Sequence, residues 1–179
     1  MQGEGFWTGT PALFLRFSGC NLRCPFCDTD FSASTPMTED QIVAELASAA
    51  TVPCNRIIVT GGEPAIQLDK NLLDRLHKEG YTVHIETNGT LPLPDGIDWI
   101  TCSPKSDWIA GAEPVISHAD EVKIVYTGQD PSRWLDFQKD ALHYLQPCSC
   151  QNTKEVVTYI MSHPCWKLSL QTHKYLNIR

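Results

Sequence analysis

Short apolar runs rich in β-branched residues alternate along the chain with segments whose apolar residues recur every three or four positions. The first pattern has the period of a strand and the second that of an amphipathic helix. Residues 12–17 predict a strand, and residues 19–36 a long loop rich in Cys, Asp, Ser and Thr. A helix is expected over 38–50. Thr38 is its N-cap, Gln41 closes a capping box, and Ile42, Val43 and Leu46 supply its apolar face. Residues 56–60, Arg-Ile-Ile-Val-Thr, predict a second strand. The helix expected over 69–79 carries Leu72, Leu73 and Leu76 as its buried stripe, with Gly80 as its C-cap. Strands follow over 82–86, 99–102 and 121–125. The remaining pattern predicts a helix over 132–140, a short strand over 144–146, a helix over 152–161 and a final strand over 167–170. Asn152 and Glu155 read as a second capping box.

Strands alternating with helices imply an α/β fold with a mostly parallel sheet built from right-handed βαβ units. Functional residues of such folds lie at the carboxyl ends of the strands. The chemically distinctive segments fall there. Gly61-Gly62-Glu63-Pro64, Glu86-Thr87-Asn88-Gly89, Ser103-Pro104-Lys105, Gln146-Pro147 and Gln171-Thr172-His173-Lys174 each follow or end a separate strand. Five such ends imply one shared cleft. No repeat or linker divides the sequence, so one domain over residues 1–179 is expected.

Charge narrows the partners. The net charge is −7, from 14 basic and 21 acidic residues, with no basic run to neutralise phosphates. A small-molecule substrate therefore fits better than nucleic acid. No apolar run approaches membrane-spanning length, and no basic segment leads into an apolar one near Met1. A cytoplasmic protein with no membrane partner is expected.

Of eight cysteines, three cluster in Cys20-Asn21-Leu22-Arg23-Cys24-Pro25-Phe26-Cys27. Thiolates suit iron–sulfur clusters, zinc or Cu(I). Gaps of three and two residues let one loop hold three corners of a cuboidal cluster and leave one iron open. A zinc site would need a fourth ligand, and Cys148 and Cys150 remain available for it. Most cysteines outside the triplet (Cys54, Cys102, Cys148, Cys150 and Cys165) are expected to be small core residues. Phe26 either shields the cluster and offers a face to adenine or packs as an ordinary aromatic. The Gly61-Gly62 pair allows close backbone approach to a ligand, and without the Lys and Ser/Thr of a phosphate loop that ligand is neutral or cationic.

The cysteine triplet, the aromatic before its third cysteine and Gly-Gly-Glu-Pro together resemble the radical S-adenosylmethionine (SAM) superfamily. Gln2-Gly3-Glu4-Gly5, Arg16-Phe17-Ser18-Gly19-Cys20, Cys27-Asp28-Thr29, Glu86-Thr87-Asn88-Gly89-Thr90, Ser103-Pro104-Lys105, Leu145-Gln146-Pro147 and Gln171-Thr172-His173-Lys174-Tyr175-Leu176-Asn177-Ile178 narrow it to the 7-carboxy-7-deazaguanine synthase family. The likeness runs from residue 2 to residue 178, and the Gln-Thr-His-Lys ending is its most specific element. Members of that family usually carry a strand-forming segment ahead of Gln-Gly-Glu-Gly, which here follows Met1 directly.

This resemblance implies an incomplete, reduced (β/α) barrel that uses a 4Fe–4S cluster, SAM and Mg²⁺. It implies conversion of 6-carboxy-5,6,7,8-tetrahydropterin to 7-carboxy-7-deazaguanine with loss of ammonia, on the route to queuosine. It also implies an electron donor such as flavodoxin and a homodimer. Cys20, Cys24 and Cys27 would hold the cluster and Thr29 the Mg²⁺, with Asp28 competing for the metal on charge alone. Phe26, Asp28, Gly62, Glu86, Ser103, Pro104, Lys105, Gln146 and Pro147 would contact SAM. On the substrate side, Arg16 would grip the carboxylate, and Glu4 would accept donors from the pterin edge. Gln2, Gly3 and Thr60 would assist, and His173 and Lys174 would add charge or a proton. Taken singly, Arg16 reads equally as a surface charge, Thr29 as a turn cap and Lys174 as a solvated charge. Two other functions share parts of the pattern. One is an activase of glycyl-radical enzymes, which lacks the Gln-Thr-His-Lys ending. The other is a non-catalytic iron–sulfur or zinc module, which has no use for polar motifs at five strand ends.

Overall fold

The computed structural model describes residues 1–31, 33–50 and 53–178. Seven strands form one sheet: β1 (Leu13–Phe17), β2 (Arg56–Gly61), β3 (Thr82–Thr87), β4 (Trp99–Cys102), β5 (Glu121–Tyr126), β6 (Leu142–Pro147) and β7 (Lys167–Leu168). Their spatial order follows their sequence order and all six pairings are parallel. The sheet curls as a barrel does but stays open, since β1 and β7 stand at opposite ends of that order. Helices α1 (Glu39–Ala49), α2 (Lys70–Lys78) and α3 (Thr153–Ser162) cover one face, and α4 (Thr172–Tyr175) closes the chain. The β3–β4 and β4–β5 connections carry no α-helix, in line with the few helices expected, and the β5–β6 connection carries none either.

Period-two alternation sorts the strand residues. Ile57, Val59, Val83 and Ile85 turn outward and pack with Ile42, Leu46, Leu72, Leu73 and Leu76 of α1 and α2. Val122, Ile124 and Leu145 pack against Val156 of α3, with Trp134 and Trp166. The opposite face is the barrel interior, and it is polar. Register sets Arg16 beside Thr60, Glu86 beside Thr101, and Thr101 beside Glu121. Thr60 and Glu86 each follow the paired Val59 and Ile85, so one row of inward positions crosses five strands.

Residues 2–10 fold back over this interior. Gln2 N–H donates to the Thr10 carbonyl at 2.9 Å and Gly9 N–H to the Gln2 carbonyl at 2.8 Å. Phe6 stacks on Trp99 with ring centroids 5.1 Å apart, and Trp7 meets Trp99 edge-on at 5.5 Å. The Arg56 guanidinium lies 4.1 Å over the Trp7 ring. Trp99, Arg56 and His84 all sit near strand amino ends, so this aromatic plug seals one mouth of the barrel and leaves the carboxyl ends as the open one. Burial drives the His84 pKa down to about 4, with Arg56 adding to the effect. Among the described residues no helix is long and apolar enough to cross a membrane.

Four expectations are corrected. Residues 132–140 form only a 3₁₀ turn at Ser132–Leu135. Trp134 is drawn inward, its Nε1 donating to Asp107 at 2.8 Å, and Gln138 takes a positive φ of 54° that ends any helix. The strand expected over 167–170 is two residues long at the sheet edge. Asn152 does not cap α3 through its side chain. It instead accepts from Cys148 N–H at 2.8 Å and donates to the Tyr126 carbonyl at 2.8 Å, tying the ends of β5 and β6 together. Of the five cysteines outside the triplet, most of which are expected in the core, only Cys102 is buried, while Cys165 is exposed.

The Thr38 capping box forms as expected, with Thr38 Oγ1 accepting from Gln41 N–H and the Gln41 side chain accepting from Thr38 N–H. Thr38→Ala should cost about 1 kcal/mol of unfolding free energy. Asn152→Ala breaks two bonds to half-buried backbone and should cost about twice that. Urea denaturation of the two variants in parallel checks the order.

Candidate active site

The cysteine loop runs from the end of β1 and is held by the glycine pair after β2. Gly62 N–H donates to the Phe17 carbonyl at 3.1 Å and Glu63 N–H to the Gly19 carbonyl at 2.9 Å. A methyl group on Gly62 would collide with the Gly19 carbonyl and the Cys20 Cβ, and one on Gly61 with the Phe17 carbonyl. Only glycine lets the two loops approach this closely. Glu63 is fully buried. Its carboxylate accepts from Ala65 N–H at 3.0 Å, Thr87 Oγ1 at 2.7 Å and Asn88 N–H at 2.7 Å, so it also fastens the end of β3. Asn88 Nδ2 then donates to Asn21 Oδ1 at 3.0 Å inside the cysteine loop.

Cys20 and Cys24 are half-buried and Cys27 is exposed. Burial raises the thiol pKa of Cys20 and Cys24, and the neighbouring triplet thiols raise both further. Leu22 N–H donates to Cys20 Sγ at 3.4 Å. Lys105 donates to Ser103 O and Oγ, both at 2.6 Å. Burial lowers the Lys105 pKa, while Cys24, Cys102 and Glu63 pull it back up. The Lys105 charge acts against the rise in thiol pKa at Cys20 and Cys24 and favours the thiolate form, which is the form that ligates metal. Cys102 lies against Gly89, and burial pushes its thiol up to about 12. It is a packing residue. Phe26 meets Trp108 edge-on at 4.7 Å, so it has an aromatic partner beside the cysteine loop. Pro104 and Pro147 are buried, and Ser103 N–H donates to the Thr87 carbonyl at 2.8 Å. Among the described residues no group of three or more His, Cys, Asp or Glu side chains converges on a single-ion site.

The two ends of the sequence meet across the open mouth. Gly3 O accepts from Thr172 N–H at 2.9 Å and from Thr172 Oγ1 at 3.0 Å. Gly3 is packed so tightly on the His173 ring that a methyl group would collide with it. Gln171 Nε2 donates to Glu4 Oε1 at 3.0 Å, and Gln2 Nε2 donates to Glu86 Oε1 at 3.0 Å. Gln146 accepts from Ser169 Oγ at 2.8 Å, which in turn accepts from Gly5 N–H at 2.9 Å. Asp28 pairs with Lys174 and with Gln171 Nε2. Burial would raise its carboxyl, but Lys174 and Gln171 outweigh that and hold it below the ordinary range. Arg16 is exposed at the end of β1 beside the half-buried Thr60, and Thr29 is half-buried just past the third cysteine.

Two residues of this interior were invisible from the sequence. Lys123 on β5 donates to Glu4 Oε2 at 2.6 Å and to Glu86 Oε2 at 2.7 Å. Burial would lower the Lys123 pKa, but Glu4, Glu86 and Glu121 raise it well above an ordinary lysine. Burial would likewise raise Glu4, yet Lys123, Gln171 and Gln146 bring it down to about 2. Glu121, two residues earlier, accepts from Phe6 N–H at 3.0 Å on Oε2, while its Oε1 has no hydrogen-bond partner. Burial pushes its carboxyl up to about 7 against the pull of Lys123. The only signal in the sequence was two charged residues in one strand otherwise made of Val, Ile and Tyr.

A thiol triplet on one strand end, a glycine cradle on the next and polar groups on the others define a site for an iron–sulfur cluster with a small molecule beside it. Residues 15–106 match the model of the Radical SAM superfamily. A 7-carboxy-7-deazaguanine synthase of Bacteroides thetaiotaomicron is 54% identical over 179 residues, covering 100% of this chain and 94% of the relative. That of Burkholderia multivorans is 40% identical, covering 99% of this chain and 94% of the relative. The crystal structure of QueE from Escherichia coli superposes with a TM-score of 0.76 at 27% identity, over 95% of this chain and 89% of that one. The chain belongs to the 7-carboxy-7-deazaguanine synthase family of radical SAM enzymes. Membership of that superfamily implies a 4Fe–4S cluster and SAM, and the donor set fits. Three soft thiols on one tethered loop suit a cluster that keeps one iron free.

Gly62→Ala should cut iron loading after anaerobic reconstitution well below the roughly four irons per chain of a full cluster; iron analysis and the visible absorption read this directly. A second expectation concerns pH. Glu121 keeps its proton to about 7 when folded, against an ordinary value of 4.5 when unfolded. The folded state therefore binds the extra proton, and stability falls as pH rises between these values. Glu121→Gln should remove that decline, so its unfolding free energy gains on the wild type across the interval in urea titrations at stepped pH.

Proposed function

We propose that this chain converts 6-carboxy-5,6,7,8-tetrahydropterin to 7-carboxy-7-deazaguanine with loss of ammonia, as one catalytic unit over residues 1–179. The observation that carries this reading is the meeting of Gly3 and Glu4 with Gln171, Thr172 and His173 across the mouth that also holds the cysteine loop. Full-length likeness to named synthases supports it. Held by Cys20, Cys24 and Cys27, the cluster would, together with SAM, supply the radical chemistry that hydrogen abstraction from the pterin requires.

The protein's own groups bind and orient. Arg16, exposed beside Thr60, takes the substrate carboxylate through its two-pronged guanidinium. Glu4 is ionised at neutral pH, and its carboxylate keeps acceptor capacity after Lys123 and Gln171 are served, so it reads donors on the pterin edge. Gln2, Gly3, Thr60 and His173 complete that side. Lys174 serves it through Asp28, its ion-pair partner. Gly62, Phe26, Ser103, Pro104, Lys105, Gln146 and Pro147 form the SAM side, with Glu86 at the join. Thr29 would offer its side-chain oxygen to Mg²⁺, a hard cation that takes oxygen ligands. Asp28 suits that role less well because Lys174 and Gln171 already occupy its carboxylate. Cytoplasmic location, a homodimer and an electron donor such as flavodoxin complete the reading.

Anaerobically reconstituted protein given SAM, Mg²⁺, a reductant and the carboxypterin should form the deazapurine, followed by mass spectrometry. A fully iron-loaded protein that cleaves SAM yet forms no deazapurine would refute the assignment. In the same assay Thr29→Ala should weaken the magnesium response and leave SAM binding intact.

A further inference from the structure

Lys123 sits in mid-strand with only 5% of its side chain exposed. Its ammonium closes a chain of contacts through four distant stretches of sequence. Gln2 donates to Glu86, Lys123 to Glu86 and to Glu4, and Gln171 to Glu4. The Gln2 side-chain oxygen also accepts from Gly3 N–H at 2.7 Å and Glu4 N–H at 3.2 Å. Each Glu4 and Glu86 oxygen thus has a named partner, and neither carboxylate can rotate without breaking two bonds.

Stability alone gives no reason for this arrangement. Three carboxylates, Glu4, Glu86 and Glu121, face one ammonium in a space closed by the aromatic plug. Desolvating such a group costs several kcal/mol, and an apolar replacement of like volume is commonly neutral or stabilising. What the ammonium supplies is a fixed position and a fixed charge for Glu4. We infer that Lys123 is a positioning residue for the substrate: it holds the Glu4 carboxylate ionised and aimed at the donor edge of the pterin, and it locks Glu86 into the same frame. This rests on the reading of the cleft as a carboxypterin site.

The groups facing this frame are few. Glu121 lies on the same strand, Tyr144 is the register partner on β6, and Glu86 comes from β3. Glu4 comes from the amino-terminal segment, Lys105 acts from the loop after β4, and Asp28 acts on Glu4 from beyond Gln171. Among the described residues only Lys123 places a cation on Glu4. Without it, burial dominates, the Glu4 carboxyl holds its proton at neutral pH, and one acceptor becomes a donor that faces the donors of the ligand.

The test is calorimetric titration of the carboxypterin into SAM-loaded, reconstituted holoenzyme, which reads binding without turnover. For Lys123→Met the Kd should rise about tenfold or more near pH 7. It should recover as pH rises above neutrality and Glu4 ionises. Lys123→Arg should restore a near wild-type Kd with the wild-type pH profile. Iron content and thermal midpoint report folding. If Lys123→Met does not fold, Lys123→Met/Glu86→Gln restores the charge count while still depriving Glu4 of its cation, and the same pH-dependent weakening is expected. A wild-type Kd and flat profile in the folded variant would overturn the inference and leave the functional reading standing. Wild-type protein that does not bind the carboxypterin would overturn both.

Discussion

One buried carboxylate organises the reactive end of this molecule. Glu63 is wholly shielded from water, and its oxygens accept from Ala65, Thr87 and Asn88. Its own amide reaches the carbonyl of Gly19, at the start of the cysteine loop. Three strand ends are thereby pinned to one point. An unsatisfied charge there would cost far more than any single hydrogen bond returns, so each partner must be in place for the loop to be held. The two preceding glycines make this possible, because any side chain would force the loops apart.

The same logic runs through the barrel interior. Its helix-facing side is a conventional apolar core, while its inner face is polar and, around Lys123 and Glu121, buried. Aromatic residues of the amino-terminal segment close the bottom, and charged groups fill the middle. Low polarizability around those groups strengthens every contact among them and separates their proton affinities, with Glu4 brought to about 2 and Glu121 pushed to about 7 although both lie near Lys123. Carboxylates of one residue type are thus given different chemical characters by position alone.

This explains what could be read from the sequence. Strand and helix positions followed from periodicity, because the outward face buries apolar residues at the expected spacing. The helix expected over 132–140 failed because Trp134 and the backbone at Gln138 answer to tertiary contacts that periodicity does not see. In the site, the cysteine loop, the glycine pair and the terminal motifs announced themselves by residue type. Lys123 and Glu121 did not. A strand reading Glu-Val-Lys-Ile-Val has ordinary half-buried alternation, and in most sheets its charged face would be wet. Only the curling of the sheet, together with the segment folded over it, turns that face into an interior. Asn152 misled for a related reason: its position suits a helix cap, yet its side chain serves two strand ends instead.

The clasp between Gly3 and Thr172 has a consequence for how the molecule is made. This contact joins residues almost the whole described chain apart, so the wall opposite the cysteine loop forms only when a distant segment docks. Contacts of such long sequence separation are the slow ones to make, which places assembly of the pocket late in folding.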